Sequence, residues 1–150
     1  MRKKYLILPN IRSCHNVGAM FRTADAFGFN KLFLVGYTAH PPKIQIDKVS
    51  LGAETWVPWE ACESLEEVLT MLKAEGVELI ALEKNENSID IHTHKPAKDF
   101  AMIVGNEVDG ISEEVCALAD VVVHIPMQGK KESLNVSIAA GVAMNVLGRA

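Results

Sequence analysis

Five short apolar runs set the rhythm of the chain: Tyr5–Leu8, Lys31–Val35, Val77–Leu82, Phe100–Val104 and Val121–Ile125. Each is four to six residues long, ends at turn-forming or polar residues, and lacks the polar alternation of a half-wet strand. Such runs predict strands buried on both faces, the signature of a parallel sheet. Helical spacing fills the gaps between them. Val17, Met20, Phe21, Ala24 and Phe27 recur on one helical face, with Asn16 as the N-cap and Gly28 as the stop. Ser64-Leu-Glu-Glu67 reads as a capping box, followed by the apolar face Leu65, Val68, Leu69 and Leu72 up to Gly76. Ser112 caps a short helix through Leu118, and Ser133 caps a last helix over Leu134–Leu147.

The connecting stretches are less regular. Asp47–Ala53 predicts a short helix. Trp56–Trp59 predicts an edge segment, because Pro58 cannot donate to a ladder. Lys84–Lys98 is polar and reads as a loop. The alternation of strands and helices predicts an α/β domain, an open and mostly parallel sheet with helices on both faces. The last helix is unusual. Ile138–Met144 has no polar face, so it should be covered on both sides. In so short a chain, the second cover is expected to be another subunit, giving a homodimer.

Composition narrows the class without changing this picture. One hundred and fifty residues, 49% of them apolar and 23% charged, make one globular domain. The formal charge of −4 is misleading. Residues 1–50 hold eight Lys/Arg against two Asp/Glu (+6), and residues 51–150 hold seven against seventeen (−10). Cys14, Cys62 and Cys116 are scattered and odd in number, which fits free thiols in a reducing cytoplasm. The apolar run near the start is too short for a signal peptide, and none approaches the ~18 residues of a membrane span.

Several familiar motifs are missing. No G-x-G-x-x-G follows the first strand. Gly105–Gly110 has phosphate-loop spacing, but Ile111-Ser112 stands where Lys-Ser/Thr is required. His92 and His94 lack a nearby third ligand, so no metal site is expected. No nucleophile elbow is present. What remains is three polar clusters, each after an apolar strand: Asn10–Arg22, Gly105-Asn106-Glu107 and Ile125–Asn135. In an open parallel sheet, loops at the carboxyl ends of strands line the ligand crevice, so the three should meet. Each residue also has a plain reading. Asn16 and Ser133 serve equally as helix caps, Arg22 as a surface arginine, Glu107 as a turn residue and Asn135 as part of a first helical turn.

Taken together and in order, the clusters closely resemble the SpoU (TrmH-like) family of RNA ribose methyltransferases in the SPOUT superfamily. The motifs are Asn16-Val-Gly-Ala-Met-Phe-Arg-Thr-Ala24, Ile103-Val-Gly-Asn-Glu-Val-Asp-Gly-Ile111 and Ile125-Pro-Met-Gln-Gly-Lys-Lys-Glu-Ser-Leu-Asn-Val-Ser137. The resemblance spans almost the whole chain and covers the catalytic domain, residues 1–150, without an accessory RNA-binding domain. It implies a Rossmann-like sheet with a C-terminal trefoil knot, a dimer, and S-adenosylmethionine as methyl donor to a ribose 2′-hydroxyl of tRNA or rRNA. Leu82, Gly105, Ile125, Met127 and Leu134 would surround the cofactor, with Gly105 allowing close backbone approach.

Arg22 would be the main catalytic residue. A guanidinium is a poor base, so clamping phosphate and stabilising the developing alkoxide suit it better. Asn16 and Glu107 would hold it in register, and Ser133 and Asn135 would order the loop at the methyl group. Across a dimer, Arg22 of one chain would complete the site of the other. The basic opening third would track RNA through Arg2, Lys3, Lys4 and Arg12, with Lys43 and Lys48 further on and Lys130 and Lys131 in the third motif. For Arg2–Lys4 the plain reading is a solvated basic tail. Two other readings compete: a SAM-binding dimer acting as a non-catalytic RNA-binding module, and a methyltransferase with a non-RNA substrate.

Overall fold

The computed structural model describes residues 1–149. Seven strands form one sheet: β1 (Lys4–Pro9), β2 (Lys31–Val35), β3 (Trp59–Cys62), β4 (Glu78–Leu82), β5 (Ile89–Asp90), β6 (Phe100–Ile103) and β7 (Val121–His124). Their spatial order is β3-β2-β1-β6-β4-β7-β5, and every pairing is parallel. The helices are α1 (Cys14–Ala26), α2 (Ile44–Ser50), α3 (Leu65–Ala74), α4 (Glu113–Leu118) and α5 (Val136–Leu147).

Side chains alternate between two cores, one on each face of the sheet. Leu6, Leu8, Leu32, Leu34, Phe100 and Met102 pack under α1, α2 and α5. Ile7, Phe33, Val35, Leu79, Ala101 and Ile103 pack under α3, which contributes Val68, Leu69 and Leu72. Each fully buried Leu, Ile or Phe adds about 1.5–3 kcal/mol, so the two-sided core fixes the register of the central strands. Helices α1 and α2 meet closely at Gly18, where a Cβ would lie 2.6 Å from the Ile46 carbonyl oxygen.

Four local expectations are corrected. Helix α1 starts at Cys14, capped by Ser13, whose hydroxyl accepts from the Asn16 amide. Asn16 is therefore inside the first turn, and its side chain is buried. Helix α5 starts at Val136 and is capped by Asn135 rather than Ser133. The Asn135 Oδ1 accepts from the Ser137 and Ile138 amides. Helix α2 starts and ends three residues earlier than the expected 47–53, at Ile44 and Ser50, and Leu51 ends it in the left-handed region at φ 52°. The 84–98 stretch contains edge strand β5 and a turn of 3₁₀ helix, anchored by fully buried Ile91.

Helix α5 is covered on one side only within the chain. Ala140, Ala143, Met144 and Leu147 are buried, whereas Ile138 is 57% and Val142 37% exposed. No helix among the described residues is long and apolar enough to cross a membrane.

Candidate active site

Strands β6, β4 and β7 are neighbours, and a cleft of about 840 Å³ opens at their carboxyl ends. Residues 82–84 after β4, 104–110 after β6, and 124, 125 and 127 at the end of β7 form its walls. Residues 131–136 and 139, leading into α5, close it. The second and third polar clusters line this end of the sheet, and the start of the first, Asn10–Asn16, joins them through hydrogen bonds to Asn106 and Glu107.

The β6 loop is built for a tight return. Asn106 and Gly110 exchange backbone hydrogen bonds of 3.2 and 3.0 Å. The Asn106 side-chain oxygen accepts from the Val108 and Asp109 amides at 2.8 and 2.9 Å. A Cβ on Gly105 would lie 2.7 Å from the Gly110 carbonyl carbon. Glycine is thus demanded here by the loop's own closure, a reason the sequence reading assigned to cofactor approach. Gly105→Ala should cost about 1–3 kcal/mol by overpacking, seen as a lower thermal midpoint. An unchanged midpoint would show that the loop relaxes freely.

Glu107 ties this loop to the start of α1. Its carboxylate accepts from the Arg12 amide (2.8 Å), the Ser13 amide (2.9 Å) and the Asn16 side-chain nitrogen (3.1 Å). Partial burial pushes the Glu107 pKa up, but these hydrogen bonds outweigh it and leave the group below its ordinary value. A depressed folded-state pKa means the tether is complete above the usual glutamate range and lost as pH falls through the folded value. Amide exchange at Arg12 and Ser13 should therefore quicken in that acid window, and Glu107→Gln should abolish the dependence. Exchange that ignores pH after correction for its intrinsic rate would refute the tether.

The cleft gathers many of the expected residues. Leu82, Gly105, Ile125, Met127 and Leu134 all line it, together with Glu107, Ser133, Asn135 and Lys131. Asn16 reaches it only through Glu107. Arg22 does not line it. It is exposed on α1, six residues and roughly 9 Å of helical rise beyond Asn16. Residues that the sequence reading passed over also shape the site. Glu83 accepts from the Ile111 amide at 2.9 Å, and His124 Nδ1 bonds Ser88 Oγ at 2.9 Å. Their only signal was position, immediately after β4 and at the end of β7.

The SpoU rRNA Methylase family model matches residues 3–145. The chain belongs to the SpoU rRNA methylase family. It is 34% identical over 146 residues to the tRNA (guanosine(18)-2′-O)-methyltransferase of Aquifex aeolicus, covering 95% of this chain and 68% of that enzyme. It is 34% identical over 140 residues to a 23S rRNA (guanosine-2′-O-)-methyltransferase of Neisseria meningitidis, covering 93% and 56%. The AdoMet-bound rRNA methyltransferase of Sinorhizobium meliloti superposes with a TM-score of 0.88 at 29% identity, covering 95% and 54%. The chain thus spans between about half and two thirds of these relatives.

Not all of the basic residues of this SpoU methylase face the cleft. β1 runs away from residues 2–4, so these lie at the opposite end of the sheet. The Arg2 guanidinium donates to the Pro96 and Arg149 carbonyls, and Lys4 Nζ donates to those of Phe27 (2.8 Å) and Gly148 (3.3 Å). Burial and the nearby Arg2 charge hold the Lys4 pKa below its ordinary value. The Lys3 backbone amide donates to Asp99. Arg2 and Lys4 thus form a strap that fastens the end of α5 rather than the free tail of the plain reading, while the Lys3 side chain stays exposed. Arg12, Lys130 and Lys131 remain exposed at the cleft end. His92 and His94 diverge, bonding Asp90 at 2.8 Å and Glu78 at 2.7 Å respectively. No group of three metal-ligating side chains occurs among the described residues.

Proposed function

We propose that this chain transfers a methyl group from S-adenosylmethionine to a ribose 2′-hydroxyl of tRNA or rRNA. The observation that carries the reading is the convergence of all five expected cofactor residues on one cleft, in a chain of the SpoU family. About 840 Å³ is within the range of small-molecule sites. Leu82, Ile125, Met127 and Leu134 offer apolar surface for an adenine ring and a thioether-like chain. When bound, S-adenosylmethionine supplies an electrophilic methyl group on a sulfonium. The protein aligns the ribose oxygen with it and stabilises the oxygen as its proton leaves. Arg22 serves as that stabiliser and as a phosphate clamp. Asn16 and Glu107 position α1, and Ser133 and Asn135 order the loop before α5.

Arg22 lies off the cleft of its own chain, which supports a homodimer in which it serves the partner's cleft. The exposed Ile138 and Val142 on an otherwise apolar α5 support the same assembly. A trefoil knot in the carboxyl-terminal part is supported by the sheet order. Strand β7 fills the slot between β4 and β5, so the earlier 83–88 connection spans its carboxyl end. Three free thiols support a cytoplasmic setting. RNA contacts fall to Arg12, Lys130 and Lys131, with Lys43 and Lys48 as outlying charges.

The test is methyl transfer from labelled S-adenosylmethionine to total RNA, followed by nucleoside analysis, beside calorimetry of S-adenosylmethionine binding. A labelled 2′-O-methylnucleoside is expected. Binding without transfer would point to a non-catalytic module. Transfer to protein or small-molecule pools alone would move the substrate class. No binding by folded protein would overturn the cofactor.

A further inference from the structure

Beside the cleft stands an aromatic ring that neither core uses. Tyr37 follows β2 at the carboxyl end of the sheet and is 60% exposed. An exposed loop tyrosine ordinarily samples several rotamers, and holding one is entropically unfavourable. Here both ends of the residue are fixed. Its amide donates to Asn10 Oδ1 at 3.1 Å, and its phenol oxygen accepts from Asn106 Nδ2 at 2.9 Å. The same Asn106 nitrogen donates to the Asn10 carbonyl at 2.6 Å, and Asn106 lines the cleft. The next residue, Thr38, is buried, accepting from the Ile11 amide and donating to the Leu8 carbonyl, both at 2.8 Å. The turn is thus stitched to β1, yet the ring it carries is left in solvent.

A flat apolar face fixed at the rim of a cleft suits a planar ligand more than it suits folding. RNA binders stack unpaired bases on such rings, and the stack tolerates any base because each has a π-face. Exposed Arg12 on the adjoining loop offers a cation for the backbone of the same nucleotide. Asn10, in the left-handed region at φ 52°, turns its carbonyl to the Asn106 amide and so sets the distance between ring and cleft.

We propose that Tyr37 is a stacking platform for an unpaired base of the RNA substrate, beside the nucleotide that receives the methyl group. The proposal rests on the RNA methyltransferase reading above. Asn106 links the two functions, since it shapes the cleft loop and holds the phenol.

The experiment compares wild type, Tyr37→Phe, Tyr37→Leu and Tyr37→Ala in methyl transfer to total RNA and in quenching of a single-stranded RNA oligonucleotide carrying 2-aminopurine. Tyr37→Leu and Tyr37→Ala should raise KM for RNA roughly 10- to 100-fold, the scale of losing one base–aromatic stack. kcat and calorimetric S-adenosylmethionine binding should stay within about threefold, and quenching should be lost. Tyr37→Phe keeps the ring and should remain within about threefold of wild type throughout. Wild-type KM and quenching in Tyr37→Leu would overturn the stacking role while leaving the methyltransferase reading intact. A wild type that neither methylates RNA nor quenches the oligonucleotide overturns both.

Discussion

Arg22→Ala should lower methyl transfer at least ~100-fold while S-adenosylmethionine binding stays within a few-fold. Losing a donor aimed at developing negative charge costs about 10²–10³ in turnover when the site is otherwise preorganised. Arg22 is suited to that role because its charge is uncommitted. No carboxylate lies within ion-pair distance of it among the described residues. Its removal leaves the core untouched, since the neighbouring Phe21 and Ala24 carry the packing of that turn. Arg22→Lys keeps the charge but loses the planar fork, so it should recover only part of the rate. Steady-state kinetics with RNA, paired with calorimetry of S-adenosylmethionine, checks both halves. Turnover near that of wild type in Arg22→Ala would remove the residue from the mechanism.

Charging the bare face of α5 should be as damaging, by a different route. Ile138 and Val142 are one helical turn apart and point the same way, outward. In the double variant Ile138→Glu and Val142→Glu, two carboxylates would be desolvated at the proposed dimer contact, a cost of several kcal/mol. Within the single chain both positions are solvated, so the fold should lose no more than about 0.5 kcal/mol at each. Light scattering should therefore report monomers with an unchanged circular dichroism spectrum. Methyl transfer should fall as far as in Arg22→Ala, because a lone chain has Arg22 outside its own cleft. A monomer with full activity would show that each cleft is complete by itself. A persistent dimer would move the interface elsewhere.

The legible parts of the fold are those whose signal is local. Strands β1, β2, β4, β6 and β7 are buried on both faces, so each reads as an uninterrupted apolar run. Edge strands β3 and β5 are partly solvated and short, and Ile89-Asp90 has no pattern long enough to read. Ser64 and Ser112 cap α3 and α4 as the sequence predicts, whereas the starts of α1 and α5 differ for a sharper reason. Ser13 and Asn16 both qualify as caps, as do Ser133 and Asn135. The choice at α1 is set by Glu107, ninety-one residues from Asn16, which binds the Asn16 side chain. The cleft was found because strand ends gather loops in any open parallel sheet. The strap at the basic start is not legible because closeness in sequence to the first motif hides the length of β1. Arg2 and Lys4 sit at one end of that strand and the motif begins at the other. Glu83 and His124 carried no motif, only a place at a strand end.

The sheet order also dictates a timetable. β1 and β2 are made early, but β1 needs β6 on its other side, pairing Lys4 with Phe100. About 65 residues separate the end of β2 from β6, which at ~5–20 residues per second is roughly 3–13 s of synthesis. Throughout that interval β1, an interior strand of the finished sheet, is a naked edge, apolar on both faces. Refolding of the denatured protein should be slowed by one pairing above all, that of β1 with β6, which joins residues 96 apart such as Lys4 and Phe100.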